Sequence, residues 1–82
     1  MPKLKRLSGK DLIKIFQSFG FEVLSQKGSH VRLQRIVEGK EQRLLVALHG
    51  SKEIKLGTLY SIYKQAVEFI PDDDLREHFY TE

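Results

Sequence analysis

The chain of 82 residues contains no cysteine, which excludes both a disulfide framework and a thiolate zinc site as a staple for so short a polypeptide. It also lacks any long apolar run. The longest is "LLVAL" at 44–48, far short of the ~20 residues needed to span a bilayer. The opening "MPKLKRLSGK" has no apolar core of the kind a signal peptide carries. These absences point to the cytoplasm. No internal repeat and no low-complexity tract breaks the chain, so one small domain is expected over residues 1–82. A domain of this size buries only ~60% of its unfolded surface, and its stability must come from packing. A hydrophobic fraction of 40% with five Phe and three Tyr is enough for a folded core.

Charge is unevenly spread along the chain. Through Gln65 there are thirteen Lys and Arg against five acids, a balance of +8; from Ala66 onward one Arg faces six acids, a balance of −5. A basic body suits a polyanion, because phosphate neutralisation with counterion release supplies most non-specific nucleic-acid affinity. It equally suits a small domain that solvates its surface with Lys and Arg, and charge alone does not separate the two.

Periodicity supplies the elements. "SGKDLIKIFQSFG" (8–20) places Ser8 at an N-cap with Asp11 three residues on, Leu12, Ile15, Phe16 and Phe19 at helical spacing, and Gly20 as the stop. Lys10, Lys14 and Gln17 share its opposite face. "FEVLSQ" (21–26) reads as a strand and "KGS" as a turn. "HVRLQRIV" (30–37) reads as a second strand, with Val31, Leu33 and Val37 on one side and His30, Arg32 and Gln34 on the other. "EGKE" (38–41) signals a hairpin, and "QRLLVALH" (42–49) a third strand, apolar enough to be the central or most buried one, with Leu44, Val46 and Leu48 toward the core. Leu45, Ala47 and His49 then face away from it. "LGTLYSIYKQAVEFI" gives a second helix through Leu56, Leu59, Tyr60, Tyr63 and Val67, widened by Ile62, Ala66 and Ile70. Pro71 ends it, and "PDDDLREHFY" reads as a short third helix with an acidic first turn. The expected fold is α+β, ordered α-β-β-β-α with a short C-terminal helix, its three-stranded antiparallel sheet covered by helices on one face. That is the layout of double-stranded-RNA-binding domains.

Two stretches narrow the reading further. "SGKDLIKIFQSFGFEVLSQKGSHVRL" resembles the opening of the HicA family of toxin mRNA interferases, with a Ser-Gly-Lys helix start, a Gly-Phe strand entry and a Gly-Ser-His turn in that order. "VALHGSKEIKLGTLYSIYKQA" is similar to that family's second half, with a strand ending in His, a Lys-Glu pair and Lys-x-Gly-Thr-Leu opening a helix. The resemblance covers residues 8–66 and leaves 67–82 as an acidic helical extension. It implies the toxin of a two-gene toxin-antitoxin module, an endoribonuclease that cuts mRNA and is silenced by a HicB-type antitoxin, with neither metal nor small-molecule cofactor. It also implies His30 as the catalytic residue. Imidazoles titrate near neutral pH and can take the proton of a ribose 2′-hydroxyl. Where many family members carry a polar residue after this histidine the chain has Val31, whose strand parity turns it toward the core.

Around His30 the candidate RNA contacts are Lys27, Gly28, Ser29 and Arg32, with Lys10, Lys14, His49, Lys52 and Lys55 further off in sequence. Each has a plainer alternative. Gly28 suits a positive φ in the turn, and Ser29 can cap it. His49 could be an acid/base group, a phosphate contact or a loop residue, while Lys52 and Lys55 could grip phosphate at a helix N-terminus or simply be solvated. His78 reads as surface. The acidic tail could pack on the body, shield the basic face or only extend the fold. Without catalysis, the same chain would be an RNA-binding module or a protein-interaction domain.

Overall fold

The computed structural model describes residues 3–48 and 52–81. In chain order the elements are β1 (Lys3–Leu4), α1 (Gly9–Ser18), β2 (Glu22–Lys27), β3 (His30–Val37), β4 (Lys40–Ala47), α2 (Leu56–Ala66), α3 (Asp72–Phe79) and β5 (Tyr80–Thr81). β2, β3 and β4 form an antiparallel meander, so β3 is central. Of the two readings of β4, central or most buried, the first is therefore overturned. Two tight hairpins force spatial order to follow chain order, whatever the apolar content.

Local chemistry sets each helix end. Ser8 caps α1 in a reciprocal box: its Oγ accepts from the Asp11 N–H at 3.2 Å, and its own N–H donates to Asp11 Oδ2 at 2.9 Å. At the other end the Phe21 N–H reaches the Phe16 carbonyl at 3.1 Å and the Gly20 N–H the Gln17 carbonyl at 3.0 Å. Gly20 has φ +95° there, and the Phe16 and Phe21 rings meet edge-on at 6.0 Å. Together these make a Schellman motif with its hydrophobic contact. Helix α3 carries Asp72, Asp73 and Asp74 in its first turn, where the helix dipole favours negative charge.

One continuous core runs from Leu7 to Phe79. Leu12 and Phe16 of α1, Val31 and Leu33 of β3, Leu44 and Val46 of β4, and Leu59, Ile62, Tyr63 and Ala66 of α2 are all buried. The buried stripe of α2 is offset from the one read in the sequence, because Leu56 and Tyr60 are 57% and 47% exposed. Apolar residues flank that stripe on both sides, and Tyr60 lies at the rim beneath the Lys64 ammonium, 5.9 Å from its ring centre. Val37, expected in the core row, lies beyond the helices at the strand end and is exposed.

The acidic extension is part of this core. Ile70, Leu75 and Phe79 are buried, and the Phe79 ring lies 6.0 Å from Phe16 and 5.3 Å from Tyr63. β5 pairs antiparallel with β1 through Lys3↔Thr81 and Leu4↔Tyr80. The chain ends are thus joined in a small ribbon that sequence reading did not foresee.

Arg35 links the parts. It sits on the core side of β3, and its guanidinium donates to Gln42 Oε1 at 2.6 Å and to the carbonyls of Phe19 and Phe69 at 2.8 Å each. The same group lies 4.8 Å from the Phe21 ring centre. Phe19 is the C-cap of α1, which has no basic residue in its own last turn, so β3 supplies the cation that end favours.

Two stability predictions follow from these contacts. Arg35→Lys keeps the charge but loses the fork that serves two carbonyls; it is expected to lower unfolding free energy by about 2 kcal/mol in urea titration. The Asp11 carboxyl is held below the usual carboxylate range, chiefly by the Ser8 N–H and then by the Ser8 hydroxyl, with Lys14 adding a smaller contribution against some burial. A depressed carboxylate stabilises the fold above its unfolded pKa and loses that contribution as pH falls through its folded value. Asp11→Asn should therefore be less stable than wild type near neutrality and converge on it below about pH 4, as followed by circular dichroism.

Candidate functional site

The site is built by the β2–β3 hairpin. Lys27 and His30 pair across a two-residue turn in which Gly28 has φ +60°, a conformation that costs an L side chain roughly 1–2 kcal/mol. The turn is held from two sides. The Gln26 side-chain amide donates to the Gly28 carbonyl at 3.2 Å, and the Leu48 N–H to the Ser29 carbonyl at 2.5 Å. Both carbonyls are thereby engaged, while Gly28 and Ser29 are exposed residues at the tip.

Strand parity then sorts the side chains. Val31 is 1% exposed and Leu33 is fully buried, so His30 and Arg32 point to the helix-free face. Val31, directly after the histidine, is packing, as its parity implied. Register places Lys27, His30 and Ala47 in one row across the sheet, and Ser25, Arg32 and Leu45 in the next. Lys27 reaches this face because of a β-bulge. Val23 pairs with Leu33 and Ser25 with Arg32, leaving Leu24 as the extra residue. By strict alternation from Val23, Ser25 and Lys27 would share the core face with it; the bulge reverses that. No signal in the sequence marked it.

Ser25, Gln26, Lys27, His30, Arg32 and Leu45 line one shallow open depression. Of the expected site residues, the structure brings together Lys27, His30 and Arg32, with Gly28 and Ser29 at the adjoining tip. Lys14 lines a separate depression with Lys5, Asp11 and His78 on the helix side, and Lys10 is exposed on that same helix, α1. Lys55 lines a third, with Lys3 and Arg6, beside the start of α2; Lys52 is exposed nearby. His49 lies outside the described residues. His78, read as surface, is half-buried with its ring edge-on to Phe19 at 5.3 Å. Arg43 was missed although parity identifies it: it pairs with Gln34 on the helix-free face.

Gly9 explains the glycine of the Ser-Gly-Lys start. It is buried, and a Cβ there would collide with the Leu48 side chain and stand 3.3 Å from the Leu48 Cα. Leu48 is the residue whose N–H holds the Ser29 carbonyl. The start of α1 is thus packed directly behind the hairpin turn.

An α-β-β-β-α domain of the double-stranded-RNA-binding type, with an exposed histidine beside two cations on a hairpin, is what the fold and site define. A family model described as HicA toxin of bacterial toxin-antitoxin matches residues 9–67. The chain belongs to the HicA toxin family, and a toxin of this class has an antitoxin as its partner. Comparison with curated proteins and with solved structures returns no match. Among the described residues no helix is long and apolar enough to cross a membrane.

The packing behind the turn is testable by glycine replacement. Gly9→Ala is expected to cost about 1–3 kcal/mol by overpacking against Leu48. Gly57→Ala, where the added methyl meets open space, should be neutral or stabilising by up to about 1 kcal/mol. Equilibrium unfolding of the two variants in parallel measures the difference.

Proposed function

We propose that this chain is a metal-independent endoribonuclease that cuts mRNA in the cytoplasm, with His30 as its acid/base residue and a HicB-type antitoxin as its inhibitor. The observation that carries this reading is the exposed His30 imidazole in one depression with Lys27 and Arg32. In the reaction, neutral His30 takes the proton from a ribose 2′-hydroxyl as that oxygen attacks the adjacent phosphorus. The P–O5′ bond breaks, leaving a 2′,3′-cyclic phosphate on one fragment and, after the 5′ oxygen is protonated by His30 or water, a 5′-hydroxyl on the other. The added negative charge develops on the phosphoryl oxygens, where the Arg32 guanidinium, the Lys27 ammonium and the amides of Gly28 and Ser29 at the turn can receive it.

Family membership over residues 9–67 supports the toxin reading, and the +8 balance through Gln65 supports a polyanionic substrate. The same balance favours an antitoxin that covers the hairpin with acidic groups, since opposite charge speeds encounter and sets orientation. Lys10, Lys14, Lys52 and Lys55 lie outside this depression and would contribute at most to distant contacts with a long RNA that bends around the domain.

The test is cleavage of an mRNA by purified protein in EDTA. Wild type should release fragments ending in cyclic phosphate, and His30→Ala should cut about 10²- to 10⁴-fold more slowly with unchanged thermal stability, because His30 is exposed. An inert wild type, or an alanine variant that cuts equally well, overturns the assignment.

A further inference from the structure

The helix-free face continues beyond the hairpin. The depression around His30 shares Arg32 and Leu45 with a second one lined by Arg32, Arg43, Leu44, Leu45 and Gln65. The two form one furrow that begins at Lys27 and His30, crosses β3 and β4, and leaves the sheet at the β4 edge beside α2. Arg43 stands one register step along from Leu45 on the same face, and such a step advances about 7 Å along a strand. This is comparable to the spacing of phosphates in an extended polynucleotide strand.

Among the described residues, the Arg43 guanidinium pairs with Glu41 alone, at 3.0 Å, with both side chains more than half exposed. Such pairs contribute about 0–1 kcal/mol, so a phosphate can displace the carboxylate. Gln65 accepts from the Leu45 N–H through Oε1 at 3.1 Å, which fixes its side chain at the β4 edge, where it lines the furrow. The acids of this face, Glu22 opposite Gln34 and Glu41 opposite Ile36, lie at the end remote from His30. They bound the cationic path and direct it over the β4 edge.

We propose that this furrow is the track of one RNA strand, with Arg32 and Arg43 holding phosphates on its way from His30 to Gln65. The proposal rests on the reading of the His30 face as an RNA site. It puts the RNA on the opposite side of the sheet from α1, and it requires a strand free of its complement. In-line attack by a 2′-oxygen needs a linkage rotated out of helical stacking, which a paired strand does not offer.

Binding is measured with the His30→Ala protein, which leaves RNA intact, and a fluorescent single-stranded oligouridylate of about ten nucleotides, over a salt series. Arg43→Ala should weaken binding and lower the slope of log K against log salt by about 0.7. Arg32→Ala should do the same, whereas Lys40→Ala, at the far hairpin, serves as the control for mere loss of charge. A blunt RNA duplex should bind more weakly than the single strand. An Arg43→Ala slope equal to that of the parent, an equal loss with Lys40→Ala, tighter duplex binding, or no RNA binding with antitoxin binding intact would each overturn the track. Cleavage by wild type is scored separately. If wild type does not cut but Arg43→Ala lowers the slope, the track stands and the catalytic reading falls; if wild type cuts and Arg43→Ala is indifferent, the reverse holds.

Discussion

The Arg35 guanidinium is the contact on which the arrangement of the other elements depends. It reaches the C-cap carbonyl of α1, the connection after α2 and the neighbouring strand β4, while stacking against Phe21 at the entry to β2. Two helix exits with unpaired carbonyls would otherwise meet at the open end of the core, where their like partial charges repel. One planar cation with five donors answers several acceptors at once, as no apolar or ammonium side chain could. At the hairpin turn, by contrast, the exposed Lys27 and Arg32 side chains line an open depression with His30.

That division of labour also explains where the sequence was readable. Helix α1 was legible to the residue because its signals are local: Ser8 with Asp11, the apolar stripe through Phe16, and Gly20 all act within one or two turns of one another. The hairpins were legible for the same reason, since Gly28 and Gly39 mark turns of two residues. With the alternation along β3, they were enough to set His30 and Arg32 on the helix-free face.

The features that escaped are those decided by distant partners. Arg35 looks in sequence like one more surface cation; only its parity with Val31 and Leu33 places it on the core side, and only the tertiary structure supplies the carbonyls it serves. β1 and β5 are two-residue strands from opposite ends of the chain, too short for any alternation to register. Their pairing follows from the burial of Leu75 and Phe79, which draws the C-terminus back across the domain to the residues before α1. The offset of the α2 stripe has a similar cause. Leu56 and Tyr60 are as apolar as Leu59 and Tyr63, and the choice between them was made by the strand surface below.

The site depends on this packing through register. In a strand the side-chain period is two, so a slip of one residue would carry His30 and Arg32 into the core and expel Val31 and Leu33. Four devices oppose the slip: the turn at Gly28, the turn at Glu38 and Gly39, the bulge at Leu24 and the Leu48 N–H on the Ser29 carbonyl. The second turn is strained for this purpose, since Glu38 takes a φ of +52° that side-chain-bearing residues avoid. The bulge has the opposite sense to a slip. It leaves Val23 opposite Leu33 and moves Ser25 and Lys27 to the side of His30, which adds a cation to the site without removing an apolar residue from the core row. His30 thus has Arg32 beside it through the alternation of β3 and acquires Lys27 from a single interruption in β2, with Gly9 packed closely enough behind Leu48 to keep the turn in place.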